Sequence, residues 1–345
     1  MRIALDAMGG DHAPEQIVEG TFDFLREVPD QDITVVLVGQ QDVLRETVRK
    51  YSFDPHRIHI VHASDTVAMD EKPARIVKTK PESSLVRAVK LVQSNEASGV
   101  ISAGNTGALL SASLFLLKRI PGVRRPALCP FIPTPGGGFV LCDAGANVDV
   151  RASDLVQFAV MARAYSIHLF DHPQPRTGLL NIGTEPGKGN ELTLKAHDLL
   201  AEHIPDFVGN VEPRDLFIGK ADVVVCDGFV GNILVKFGEG LIKNLTEWAK
   251  EKLKRHPIAL FSLPLMRPAL KDLAHDMDHE EYGGWPLLGL NSVAIVCHGS
   301  SSAKAIKNAL KTATRCVSEN LINSIATGIN AHLDISQEDH ALATS

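Results

Sequence analysis

The chain has 345 residues, 44% of them hydrophobic and 22% charged, which is an ordinary composition for a folded chain of one or two domains with a sizeable core. A formal net charge of −6 and only 5% aromatic residues argue mildly against non-specific nucleic-acid binding, because acidic side chains outnumber basic ones and rings to stack bases are scarce, which leaves room for local basic patches. No uncharged apolar run reaches the roughly 18 residues of a membrane span, and no secretory leader is read ahead of the first strand, so the expected location is cytoplasmic. The five cysteines form no CxxC pair, and Cys129, Cys142, Cys226 and Cys297 lie in or beside apolar runs. That pattern fits small buried residues in a reducing compartment, as does the fifth, Cys316.

Taken in order, short apolar runs alternate with longer amphipathic ones. Ile3, Ala4 and Leu5 make a short buried strand that ends at Asp6. Gly9 and Gly10 supply a turn, and Asp11, His12 and Pro14 open a helix over 15–28. A strand at 33–38, a helix at 41–51 and a strand at 57–62 follow. Then come a helix at 83–94, a strand at 99–102 and a helix at 106–117. The Pro-rich stretch 121–135 is expected to cross irregularly between two lobes. Alternation resumes with a strand at 139–142, a helix at 153–166, a strand at 178–182 and a helix at 191–203. A strand at 221–226, a long helix from near 231 to about 255, a strand at 291–297 and a helix at 302–321 complete the series. This βα alternation predicts two α/β lobes with mainly parallel sheets in one unit over 1–335, and a polar tail at 336–345.

Ligands of such sheets bind beyond the carboxyl ends of the strands. Five predicted strand ends carry similar loops: Ser102 to Gly107, Asp143 to Asn147, Asn181 to Asn190, Asp227 to Asn232 and His298 to Ser302, in addition to the Gly9–Gly10 turn. Glycines let backbone amides close on an oxyanion, Asn, Ser and Thr add neutral donors, and Lys188 adds a compact cation. The chain has no GxxxxGK[ST] loop, no GxGxxG fingerprint and no GxSxG elbow. His56 with His59, and His275 with His279, have metal-compatible spacing but no CxxC or HExxH context, so no metal is expected. Arg75 and Lys78 form a small basic patch, either a solvated face or a ligand contact.

These motifs resemble the PlsX family of phosphate acyltransferases. The matching residues are LDAMGGDHAP (5–14), MDEKPAR (69–75), SAGNTGAL (102–109), RPAL (125–128), DAGANVD (143–149), LLNIG (179–183), KGNE (188–191), DGFVGN (227–232), YGG (282–284), PLLGLN (286–291) and HGSS (298–301), all in order. Trp285 departs from the pattern, where a small residue, usually Ala, is expected. The resemblance implies a two-lobed αβα Rossmann-like sandwich similar to isocitrate/isopropylmalate dehydrogenase. It implies an enzyme of bacterial phospholipid biosynthesis that converts acyl-[acyl-carrier-protein] and orthophosphate to acyl phosphate and free carrier protein. It also implies a homodimer in peripheral contact with membranes, and no cofactor.

In that chemistry phosphate is itself the nucleophile, so the protein must hold a polyanion in line with a thioester carbonyl and stabilise the oxyanion that forms. Lys188 and Asn232 are expected at the reacting centre, as cation and hydrogen-bond donor. Asn105 and Thr106, with the amides of Gly104 and Gly107, are expected to cradle phosphate. Asp6, Gly9, Gly10 and Asp11 line the first loop, and Asn147, Asp227, His298 and Ser300 complete the substrate site. His12 or His298 protonates the departing thiolate, or His12 only caps the helix. The segment 255–273 joins an apolar, proline-broken run to flanking cations; an anionic membrane surface, the carrier protein and the dimer partner remain open for it. A phosphotransacylase using acyl-CoA, and a non-catalytic membrane scaffold, are the competing functions.

Overall fold

The strand and helix pattern resolves into two sheets. The computed structural model describes residues 1–52, 54, 56–135, 137–255, 266, 268, 271–272 and 279–332. The first sheet takes β1 (Arg2–Asp6), β2 (Thr34–Gly39), β3 (Ile58–His62), β4 (Gly99–Ser102), β5 (Ala127–Leu128), β11 (Trp285–Leu288) and β12 (Val293–Val296), in the order β3-β2-β1-β4-β12-β11-β5. The run from β3 to β12 is parallel, and β11 pairs antiparallel with both of its neighbours. The second sheet takes β6 (Phe131–Thr134), β7 (Gly137–Cys142), β8 (Thr177–Leu180), β9 (Phe207–Val211) and β10 (Val223–Val225), in the order β6-β7-β10-β8-β9. It is parallel except at the edge strand β6.

The longer helices are α1 (Glu15–Glu27), α4 (Ser84–Gln93), α5 (Thr106–Leu116), α6 (Ala152–Phe170), α7 (Glu191–His203), α8 (Gly228–Lys254), α9 (Ala303–Ser318) and α10 (Leu321–Asn330), and α2 (Gln41–Val48) and α3 (Ile76–Thr79) are shorter. Their starts are written in the sequence. Asn105, Asp227 and Ser302 each accept the backbone N–H three residues on, which satisfies a donor that the first helical turn leaves orphaned. Gly20 lets α1 lie directly on α9, since a Cβ there would stand 2.4 Å from the Ala303 carbonyl oxygen. The central strands bury both faces, with Ile3, Leu5, Ile101 and Ile295 in one core and Ala4, Val100 and Val296 in the other.

Three expectations need correction. The 121–135 stretch is not irregular throughout, because it contains β5 and β6. Pro133 is tolerated in β6 because that strand lies at the sheet edge, where a missing N–H breaks no ladder on the open side. The helix expected from 231 starts at Gly228, immediately after its Asp227 cap. The helix expected over 302–321 ends at Ser318 and restarts as α10 after Asn320, which takes a left-handed conformation (φ 54°). The polar tail 336–345, His275 and most of 255–273 lie outside the described residues. No described helix is long and apolar enough to cross a membrane.

Candidate active site

Because β1, β4 and β12 are neighbours, the loops at 7–14, 103–105 and 297–302 gather at one sheet edge. Asp6 closes β1 as a buried carboxylate, accepting from Ser102 Oγ at 2.7 Å and from the Met8 amide at 3.3 Å. Burial raises its pKa above the ordinary value, while hydrogen bonds from Ser84, Ser102 and the backbone of Met8 and Gly9 oppose the rise. Gly9 is required here, since a Cβ would meet Asp6 Oδ2 at 2.5 Å and the Gly104 nitrogen at 2.9 Å. Gly10 has φ +105°, and the next amide, of Asp11, donates to the Gly299 carbonyl at 2.7 Å. The first loop is thereby tied to the last.

The 102–107 loop differs in detail from its expected role. The Gly104 amide donates to Ser102 Oγ at 3.0 Å. Asn105 accepts from Ala108 through Oδ1 and donates through Nδ2 to the carbonyls of Met69 (2.9 Å), Glu71 (3.2 Å) and Ala68 (3.4 Å). Those donors are already taken up by the protein, so an anion at this helix start is left with Thr106 and the amide of Gly107. Thr106 is exposed, and Pro73 packs over Gly107.

The second sheet gathers β7, β10 and β8, which brings the loops after Cys142, Val225 and Leu180 side by side. Its organiser is Asp143, a residue the sequence reading quoted in a motif but did not single out. One carboxylate oxygen accepts from the amides of Leu128, Gly145 and Ala146, and the other from the Asn147 amide and Asn147 Nδ2, at 2.6–3.2 Å. Burial pushes the Asp143 pKa up, against the pull of those bonds. Asn147 also donates to the Pro126 carbonyl and is buried, so it is a structural member of the loop. Asp227 acts as the cap of α8. Asn232 is partly exposed and lies against Gly145, where a Cβ would stand 3.3 Å from Asn232 Cβ. In the third loop Asn181 Nδ2 holds the Lys188 carbonyl at 3.0 Å. Lys188 is exposed, and its ammonium has no hydrogen-bond or ion-pair partner among the described residues.

The two halves meet. Leu128, whose amide binds Asp143, lines a cavity of about 90 Å³ together with Thr106, His298, Ser300, Trp285 and Glu239 of α8. Asn232 and Glu239 are seven residues apart, two helical turns, so they share a face of α8 roughly 10 Å apart along its axis. His298 Nδ1 receives the Ser300 amide at 3.2 Å, which leaves the ring proton on Nε2, and pairs with Ser300 Oγ at 2.8 Å. His12 does not line this cavity. It lies on a neighbouring groove of about 530 Å³ with Asp11, Glu15 and Ser302, and Ser300 borders both. Glu239 carries no motif-level signal that would have marked it, whereas Trp285 stands out in the sequence as the departure after Tyr282-Gly283-Gly284.

The family described as "Fatty acid synthesis protein" matches residues 1–324. Among curated proteins, the phosphate acyltransferase of Heliobacterium modesticaldum is 47% identical over 326 residues, covering 94% of this chain and 96% of that one. The phosphate acyltransferase of Halothermothrix orenii is 43% identical over 332 residues, covering 96% and 99%. Among solved structures, the EutD phosphotransacetylase from Staphylococcus aureus superposes with a TM-score of 0.57 at 15% identity, over 92% of this chain and 94% of that one, a likeness of fold.

Proposed function

The chain belongs to the fatty acid synthesis protein family, as a phosphate acyltransferase, and from that premise we propose that it transfers an acyl group from an acyl-carrier-protein thioester to orthophosphate, in the service of phospholipid synthesis. One observation carries the reading: the strand-end loops of the first sheet carrying Thr106 and His298 line one cavity with Glu239 of α8, the helix that follows β10 of the second sheet, and a Lys without a partner stands among that sheet's loops. A phosphate oxygen attacks the thioester carbon, and the C=O electron pair moves to oxygen. The tetrahedral oxyanion collapses, the C–S bond breaks, and the thiolate takes a proton. Lys188 offsets the charge that phosphate brings and the carbonyl develops, and Asn232 donates a hydrogen bond to it. Thr106 and the Gly107 amide hold phosphate. His298 lies in the cavity and His12 does not, so His298 is the better placed to protonate the departing thiolate, which it does as an imidazolium that returns to the neutral ring.

The test is phosphate-dependent thiol release from an acyl carrier protein, with the acyl phosphate trapped by hydroxylamine. A higher kcat/KM with acyl-CoA would move the reading to a phosphotransacylase, the class of the structurally similar S. aureus protein. No phosphate-dependent cleavage of either thioester would leave the scaffold reading. Peripheral membrane contact and homodimer formation belong to the same proposal. They are checked by vesicle flotation and by sedimentation.

A further inference from the structure

Residues 66–80 form a strap across the carboxyl edge of the first sheet, and its attachments are specific. Asn105 binds three of its carbonyls, those of Ala68, Met69 and Glu71. Lys80 ties the two ends together, donating to the Thr66 carbonyl at 2.7 Å and to Glu71 Oε1 at 2.5 Å, while the Ala68 amide donates to the same Glu71 oxygen at 2.9 Å. Ile76 is buried beneath it. Pro73 lies over Gly107 at the start of α5, and the Met69 methyl lies 3.3 Å from where a Cβ on Gly299 would stand. The strap therefore borders both Thr106 and the His298 loop.

Its outer side carries Lys72, Arg75 and Lys78, all exposed and none with an ion-pair partner among the described residues. On a chain of net charge −6, three unpaired cations on a fixed segment beside the cavity are a local reversal of sign. We propose that Lys72, Arg75 and Lys78 are the docking rim for the acidic protein that delivers the thioester. The proposal rests on the acyl-transfer reading above and adds where the carrier sits. A rim of this kind acts mainly on encounter: it attracts an acidic partner and leaves the reacting atoms untouched. An anionic membrane is the weaker candidate, because Met69 (54% exposed) is the one large apolar side chain the strap exposes, and an interfacial segment needs an apolar face to insert.

The test is the triple variant Lys72→Glu, Arg75→Glu, Lys78→Glu, with a triple Ala variant beside it. Each is assayed against an acyl carrier protein and against the same acyl group on N-acetylcysteamine. The expected result is a fall of about tenfold or more in kcat/KM for the carrier substrate, with the small thioester and the KM for phosphate unchanged. The wild-type carrier reaction should also weaken more steeply with salt than that of the variant. An equal loss with both thioesters, or no loss with either, overturns the proposal. So does loss of binding to anionic vesicles with carrier kinetics intact, which would assign the strap to a membrane. If the wild type cleaves neither thioester, the acyl-transfer reading fails. Titration of the carrier protein into wild type and variant then decides the docking rim by itself, and equal affinity overturns it.

Discussion

Each sheet ends a strand in a buried aspartate, Asp6 on β1 and Asp143 after β7, yet the two carboxylates organise their surroundings differently. Asp6 ties strand to strand through Ser102, and its loop is closed further by Gly9, Gly10 and the Asp11–Gly299 bond. Asp143 gathers the amides of its own loop and that of Leu128 on the edge strand of the other sheet. Around Asp6 the polar groups that looked like ligands are turned inward: Gly104 serves Ser102, and Asn105 serves the strap. Around Asp143 the carboxylate does the organising, which leaves Lys188 and Asn232 on the outside. In the proposed reaction the first edge is the receptor, whose remaining donors are Thr106 and a few amides, and the second edge supplies the charge.

The largest expected effect tests that division directly. Lys188→Ala should lower kcat/KM about 100- to 1,000-fold, the usual loss when one group stabilising transition-state charge is removed. The melting temperature should stay within a degree or two, because an exposed side chain without a partner contributes little to stability. Near-normal acyl phosphate formation would remove Lys188 from the reacting centre and undo the comparison.

Gly9→Ala strikes the other edge. The new methyl has to displace either Asp6 Oδ2 or the Gly104 amide, so the first loop must open. The KM for phosphate should rise about tenfold with a smaller change in kcat, the signature of lost ground-state binding. Saturation curves in phosphate that match the wild type would reduce this loop to a structural turn.

A third, smaller effect separates organiser from ligand by pH. Burial raises the Asp6 pKa in the folded state. A carboxyl with a raised folded pKa contributes stability that is fully present below its unfolded value, about 3.9, and is lost as pH rises through the folded value. Asn cannot titrate and so lacks that term. The stability of Asp6→Asn relative to wild type should therefore improve as pH rises from about 4 to 8, as read by urea unfolding. A constant difference across that range would mean that Asp6 is no more costly to ionise inside than outside.

Much of this was legible in the residues. Alternating apolar runs gave most of the strands to within a residue or two and the helix starts at 106 and 303 to within one, whereas Asn105 and Asp227 were read as substrate contacts and the helix that Asp227 caps was started three residues late. The loop motifs identified the family, which the match over residues 1–324 bears out. What stayed hidden is pairing. Sequence lists Asn105 as a polar residue in a glycine loop, and nothing in its spacing says that its amide reaches back to carbonyls 34 to 37 positions away. Pro286 reads as a breaker, yet it sits in β11, where its carbonyl accepts from the Cys129 amide. His12 and His298 look equivalent as candidate acids until topology puts one in the cavity and the other on the next groove.

The smallest expected effect lies where the two edges meet. Trp285 begins β11, pairs with Val296 and lines the cavity shared by Thr106, His298 and Glu239. At about 90 Å³ that space is tighter than the roughly 150 Å³ that accepts a benzene ring, so it holds only a few carbons. Replacing the indole with a methyl enlarges it without touching either aspartate or Lys188. Trp285→Ala should shift the ratio of kcat/KM for bulkier over shorter acyl thioesters by of order threefold, less than a fully enclosed apolar contact would give because the space is open to the cleft. Phosphate KM should not move. A changed phosphate KM with an unchanged acyl ratio would place the cavity on the phosphate side of the reaction and make Trp285 part of the receptor edge.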